Sequence, residues 1–273
     1  MKCTSPVWVQ DPATAGVMYV PCGRCMACRI SRARMWSLRI MHETRDHKDS
    51  CFVTLTYNDE SLPRKGSLVK EHCQLFFKRL RKALGRPVRY FLGGEYGDIG
   101  RRPHYHVVLF GCSVHDRPAI EKAWPWGFVH IGDVTYDSAC YVASYTLKKL
   151  SGDHKALYGL RGVIPEFSLM SRRPGIGALY CERNSKFLKD NVCCVKNGAK
   201  VALPRYYRDR LFSSEDRAII HQMAQELYDE RFKTAKAAAG VKEGFEVLEY
   251  QRGQRAQHAA DLKARESLKR RKL

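Results

Sequence analysis

From Cys51 to Asn58 apolar and polar side chains alternate: Val53 and Leu55 fall on one side of an extended strand, Phe52, Thr54 and Thr56 on the other. That period of two predicts a strand, closed by the loop-forming run Asn58–Gly66. From Leu68 to Leu84 the period changes to that of a helix. Cys73, Phe76, Phe77, Leu80 and Leu84 line one side, Lys78, Arg79, Arg81 and Lys82 the other, and Gly85 supplies the stop. Residues 88–95 read as a second strand, the turn-rich stretch 96–103 follows, and a third strand opens at His104. A shorter strand is expected at 127–134, and Asp137 and Ser138 are placed to cap a helix running to Leu150. Upstream, residues 29–46 read as a basic helix. Strands separated by short links, with helices between, predict an α+β fold built on an antiparallel sheet.

Elsewhere the pattern is weaker. Residues 1–28 are rich in Pro, Gly and Cys and are expected to be irregular, and the chain beyond Gly152 reads as loop-rich. After Ser213 a helical arm is expected, with Ile220, Met223, Leu227 and Phe232 as its buried stripe and Gly240, Gly244 and Gly253 interrupting its continuation. This divides the chain into a cysteine-rich segment (1–28), a main domain (29–212) and a charged helical C-terminal arm (213–273).

Composition narrows the class. Hydrophobic residues make up 44% of the 273 positions, enough for a core, and no run approaches the roughly 18 apolar residues of a membrane span. The N-terminus lacks the charged-then-apolar layout of a secretory signal, so the protein is read as soluble and intracellular. The formal net charge is +20, which favours a polyanionic partner. Residues 213–273 hold thirteen basic and ten acidic side chains, so nearly all of the excess lies in the body and not in the arm. The eleven cysteines are an odd number without even spacing; reduced thiols, some of them on metal, fit better than a disulfide framework.

Candidate chemistry starts at His104 and His106, one residue apart on a strand and therefore on one face, with Tyr105 on the other. Two neutral imidazoles so placed can hold a divalent ion from two corners. Glu95, at the end of the preceding strand, is the nearest carboxylate in a suitable hairpin position, and Asp98 is the alternative. Downstream, Tyr141 and Tyr145 are four apart on the expected helix, hence on one face, with Lys148 and Lys149 three and four beyond Tyr145. A metal-capable strand, a two-tyrosine helix and a basic body are united by phosphoryl transfer at a DNA backbone. A phenol with a pKa of about 10 needs help to act as a nucleophile, and charge stabilisation at the phosphate supplies it.

These residues resemble the HUH endonuclease superfamily, the rolling-circle replication initiators. His104-Tyr105-His106 matches its His-hydrophobic-His motif, residues 52–56 resemble its upstream strand motif, and Tyr141-x-x-x-Tyr145-x-x-Lys148 resembles its two-tyrosine helix. The chain is similar above all to the initiators of small single-stranded DNA phages, the Microviridae of gokushovirus type. The shared segments are the cysteine run from Val20 to Arg29, the block from Gly93 through Gly111, and the segments 171–177 and 203–207. The resemblance implies a five-stranded antiparallel sheet flanked by helices, with the histidines on a central strand. It implies strand-specific nicking of a viral origin through a 5′-phosphotyrosine, with Tyr141, Tyr145 and Lys148 catalytic, Glu95, His104 and His106 on Mg2+ or Mn2+, and rejoining in rolling-circle replication. It further implies single-stranded or supercoiled viral origin DNA as substrate, in the bacterial host cytoplasm. Host polymerase would extend the 3′ end and a host helicase would unwind, because the chain has no phosphate loop of its own. No membrane or small-molecule partner is expected.

Two further features have open readings. Cys22, Cys25 and Cys28, completed by Cys3, suit a structural Zn2+ site, or they are unliganded thiols; an iron–sulfur spacing would want cysteine where Arg32 stands. Arg101, Arg102, Lys149, Arg172, Arg173, Arg205 and Arg208, with Tyr206 and Tyr207, mix charge and aromatic planes as single-stranded DNA requires. The rival functions are a non-enzymatic DNA-binding protein organised by zinc and an HUH transposase or relaxase. A histidine-triad nucleotide enzyme is set aside, because Val108 stands where a further histidine would be needed.

Overall fold

The computed structural model describes residues 3–10, 16–97, 100–145 and 158–238. Its main element is a five-stranded sheet in the order β6-β3-β5-β4-β7, antiparallel at every pairing. The strands are β3 (Ser50–Tyr57), β4 (Arg89–Tyr96), β5 (Pro103–Phe110), β6 (Gly127–Asp133) and β7 (Phe167–Met170). Helices α1 (Met26–Thr44), α2 (Lys70–Leu84), α3 (Arg117–Ala123) and α4 (Tyr136–Tyr145) flank it, and the cysteines gather near the N-terminus. The chain is α+β.

Alternation along β3 sorts its side chains as the sequence predicts. Cys51, Val53, Leu55 and Tyr57 are buried on one face, and Phe52, Thr54 and Thr56 are half-buried on the other. The first face packs on α2 through Cys73, Phe76, Phe77 and Leu80. Each of these large apolar side chains contributes about 1.5–3 kcal/mol of burial. Helix α2 has no side-chain cap of its own. Instead the Val69 amide donates to the Tyr105 hydroxyl at 2.8 Å, so β5 itself seats the start of the helix. Its end is Gly85, in the left-handed region at φ 63°, as expected of a glycine stop. On the second face, Phe91, Val108 and Phe110 pack with Ala33 and Ile40 of α1 and Ala139, Val142 and Ala143 of α4. The alanines let α4 sit close to β4 and β5.

Several elements were not expected from the pattern. Residues 7–10 and 17–20 form a hairpin, β1 (Val7–Gln10) with β2 (Val17–Val20), in a segment expected to be irregular. The edge strand β7 pairs with β4 from within the stretch read as loop. Two short helices, α5 (Ala178–Arg183) and α6 (Ser185–Asn191), and a second hairpin, β8 (Cys193–Lys196) with β9 (Ala199–Ala202), follow it. The cap of α4 also differs. Thr135 supplies it, its hydroxyl accepting from the Ser138 amide at 3.1 Å while the Ser138 hydroxyl accepts from the Thr135 amide at 2.8 Å. Asp137 and Ser138 therefore lie inside the helix.

By internal contacts the chain divides into two compact units, residues 32–204 and residues 1–31 with 205–273. The first holds the sheet. The second holds β1, β2, the cysteines, α7 (Arg205–Leu211) and α8 (Ser214–Ala238). On α8 Met223 is 58% exposed and Ile219 57%, which overturns the expected buried stripe at Met223; Ile220 is half-buried. The side chains of Leu227 and Phe232, and the glycines from 240 onward, lie outside what is described. No helix among the described residues is long and apolar enough to cross a membrane.

Candidate metal centre and its neighbouring phenol

The antiparallel register of the β4–β5 hairpin sets Glu95 directly opposite His104 and Gly93 opposite His106. On the other side of β5, Thr54 of β3 lies opposite His106 and Thr56 opposite His104. Residues paired across a sheet share a face, so Glu95 and both imidazoles project together. One ligand atom from each of the three lies within 4.8 Å of the others. Both rings point the same nitrogen at the same oxygen: His104 Nε2 is 2.8 Å and His106 Nε2 3.1 Å from Glu95 Oε1.

The far side of each ring explains this aim. His104 Nδ1 lies 3.1 Å from the Arg102 carbonyl, which only accepts, so Nδ1 carries the hydrogen. His106 Nδ1 lies 3.1 Å from the Thr54 hydroxyl, and Phe52 stacks on the His106 ring. Partners of this kind fix ring orientation and tautomer in metal sites. With its hydrogen on Nδ1, His104 can face a carboxylate at 2.8 Å only if a proton or a metal ion mediates. Two imidazole nitrogens and a carboxylate on one face form a donor set that divalent ions accept, so the residues fit the metal. Thr54 and the Arg102 carbonyl were missed in the sequence. Their signal was the strand register, which alternation alone does not set.

Helix α4 brings the phenol. Tyr141 Oη donates to the same Glu95 Oε1 at 3.1 Å, and its ring meets His106 edge-on with centroids 4.9 Å apart. Tyr141 is 37% exposed, beside the buried Val142 and Ala139. Tyr145 is the last residue of α4, and its side chain lies outside the description. Lys148, Lys149 and Asp98 fall outside the described residues as well.

The arginines singled out above do not converge. Arg101 and Arg102 are exposed in the turn between β4 and β5, where Arg102 donates to the Tyr57 carbonyl at 3.0 Å and pairs with Asp59. Arg172 and Arg173 are exposed on the 171–177 segment. That segment is pinned from beneath by Arg89, whose guanidinium donates to the Pro174 carbonyl, and by the buried Glu43, which accepts from the Gly177 amide and from Arg89. Burial works against the Glu43 charge, but hydrogen bonds from His47, Arg89 and the Gly177 amide outweigh it and hold its pKa below the usual carboxylate value. Arg205 is exposed beside a 470 Å³ cavity lined also by Arg208, Asp209, Arg217 and Ile220 in the other unit.

The cysteines expected to hold zinc do gather. The sulfurs of Cys3, Cys22, Cys25 and Cys28 all lie within 4.8 Å of one another, and Cys3 and Cys25 are 3.7 Å apart. That is far beyond a disulfide bond and close to the ~3.8 Å edge of a zinc–thiolate tetrahedron. The amides of Arg24 and Cys25 donate to Cys22 Sγ, and the Cys22 amide to Cys3 Sγ, a cradle that favours thiolates. Burial and the neighbouring sulfurs push the Cys28 thiol up to about 12. Close packing of four such groups is costly without a cation among them, so the donor set fits Zn2+.

Comparison with known proteins bears on what this arrangement serves. The family model for replication-associated proteins of the ORF2 type matches residues 50–150, which span the sheet centre and α4. Over 246 residues the chain is 30% identical to replication-associated protein VP4 of Bdellovibrio phage phiMH2K, covering 77% of this chain and 76% of that one. The chain belongs to this family of phage replication-associated proteins. It is also 34% identical over 221 residues to replication-associated protein ORF2 of Spiroplasma virus 4, covering 70% and 67% of the two chains. With replication-associated protein ORF4 of Chlamydia phage 1 it shares 26% identity over 222 residues, 72% of this chain and 55% of that relative. No solved structure matches the chain.

Proposed function

We propose that this family member is a replication initiator that nicks one strand at the origin of a circular single-stranded DNA phage genome and later rejoins it. The observation that supports this reading best is the meeting of Tyr141 with both imidazoles on one carboxylate oxygen.

Glu95, His104 and His106 would hold Mg2+ or Mn2+, which polarises the scissile phosphate and stabilises its developing charge. The Arg102 carbonyl and Thr54 keep the two rings turned toward that position. Tyr141 is presented beside it by α4, and Glu95 Oε1 accepts its hydroxyl hydrogen, which lowers the cost of moving that proton. The phenolic oxygen attacks phosphorus, the bond to the 3′ oxygen breaks with its electron pair, and that oxygen takes up a proton. The products are a 5′-phosphotyrosine and a free 3′ hydroxyl that host polymerase extends. The new ester keeps the energy of the phosphodiester, so attack by a 3′ hydroxyl reverses the step without ATP. Tyr145, one helical turn on, is the second nucleophile, and Lys148 adds positive charge beyond it. Zn2+ on Cys3, Cys22, Cys25 and Cys28 is structural. The nicking domain spans 29–212, Arg101, Arg102, Lys149, Arg172, Arg173 and Arg205 contact the DNA backbone, a host helicase unwinds, and the protein works in the bacterial cytoplasm.

Single-stranded origin DNA incubated with the protein and Mn2+ should yield a covalent adduct whose tryptic mass maps to α4. The double change Tyr141→Phe, Tyr145→Phe should abolish it. An adduct that survives the double change refutes the assignment. Salt-sensitive DNA binding with no cleavage under any metal would favour the zinc-organised binding protein instead.

A further inference from the structure

The register that assembles the candidate centre continues across the sheet to its edge. One cross-strand row runs Glu95, His104, Thr56, Phe128, and the next runs Gly93, His106, Thr54, His130. Phe128 and His130 therefore share the face of the imidazoles, while their neighbours Val129 and Ile131 turn to the opposite face and pack on its core. Phe128 is 69% exposed and His130 is exposed too. A single exposed aromatic is ordinary on a protein surface. Its place here is not, because only Thr56 separates it from His104 along the row, about 10 Å at the usual strand spacing. The surroundings are also suited to a polyanion. On this face β3, β5 and β6 carry Thr, His and apolar residues and no carboxylate from position 52 to 56, 104 to 110 and 128 to 132. At the same end of the sheet, Arg102 reaches over the end of β3 to the Tyr57 carbonyl with its side chain 42% exposed, its charge shared with Asp59.

We propose that Phe128 is a stacking shelf for a base of the same DNA strand whose phosphate is held at Glu95, His104 and His106. The inference rests on the nicking reading above and adds a positioning contact to it. An aromatic plane accepts any base, so the shelf supplies affinity and sets how the strand lies across the sheet, whereas Arg102 meets the backbone. Base–aromatic stacking of this kind is worth about 5- to 100-fold in binding.

The test uses the full chain and an oligothymidylate substituted with 5-iodouracil. Irradiation should cross-link the DNA to the peptide that contains Phe128. Phe128→Ala should lose that cross-link, weaken oligothymidylate binding about 5- to 100-fold with an unchanged salt slope, and raise the origin DNA concentration needed for half-maximal adduct formation. Phe128→Trp should restore all three. The proposal is overturned if the Phe128 peptide never cross-links, or if Phe128→Ala binds within about twofold of the parent. The two readings separate cleanly. An adduct that forms with the same half-saturating DNA in Phe128→Ala removes the shelf and leaves the chemistry. A Phe128-dependent cross-link with no adduct from the unaltered protein keeps the DNA contact and removes the chemistry.

Discussion

Glu95 Oε1 receives His104, His106 and Tyr141 within 3.1 Å, so one carboxylate charge organises both the metal-capable nitrogens and the phenol. Glu95→Gln keeps the shape and removes the charge. Half-saturating Mn2+ for adduct formation is expected to rise about 10- to 100-fold, read from a metal titration of adduct yield. His104→Ala and His106→Ala each remove a ligand and should leave no measurable adduct at any Mn2+ concentration. Strand parity alone placed the two imidazoles together and Tyr105 opposite them in the sequence. Glu95 was legible because a short hairpin must return near its start. Thr54 and the Arg102 carbonyl were not, since each meets a histidine only once the pairing register is fixed. Tyr141 was legible as one of a pair on a helix, and its meeting with Glu95 depends on how α4 packs.

At the scale of elements, period and length decided what could be read. β3, β4, β5, β6 and α2 carry clear two- or 3.6-residue patterns and lie within a residue or two of their expected bounds. β7 has four residues and no alternation to betray it; pairing with β4 makes it a strand. Close contacts between elements yield two predictions. A Cβ on Gly94 would stand 3.1 Å from the Tyr105 ring and 3.3 Å from Leu68. Gly94→Ala should cost about 1–3 kcal/mol, seen as a lower denaturation midpoint. Glu43, 1% exposed, ties α1 to β4 and to the 171–177 segment. Its folded pKa lies below its ordinary 4.5, so its contribution is complete above that value and is lost as pH falls through the lower folded value. Glu43→Gln should destabilise by about 3 kcal/mol near neutrality, and the gap to the parent should shrink on acidification, followed by thermal unfolding across pH.

For the whole molecule, the excess of positive charge and the cysteine cluster make separate predictions. Affinity for single-stranded DNA should fall linearly on a log–log plot against salt, and Arg102→Gln should reduce the slope by about 1. Stripping zinc should expose four reactive thiols to a colorimetric reagent and lower helical circular dichroism from the unit that holds the cysteines. That unit is discontinuous, made from the first thirty-one residues and from Arg205 onward, with the sheet unit between them. A ribosome therefore delivers its two portions at the start and near the end of synthesis. The sheet can close while the nascent chain is still growing, and the earliest cysteines to emerge wait longest for the helices that complete their fold.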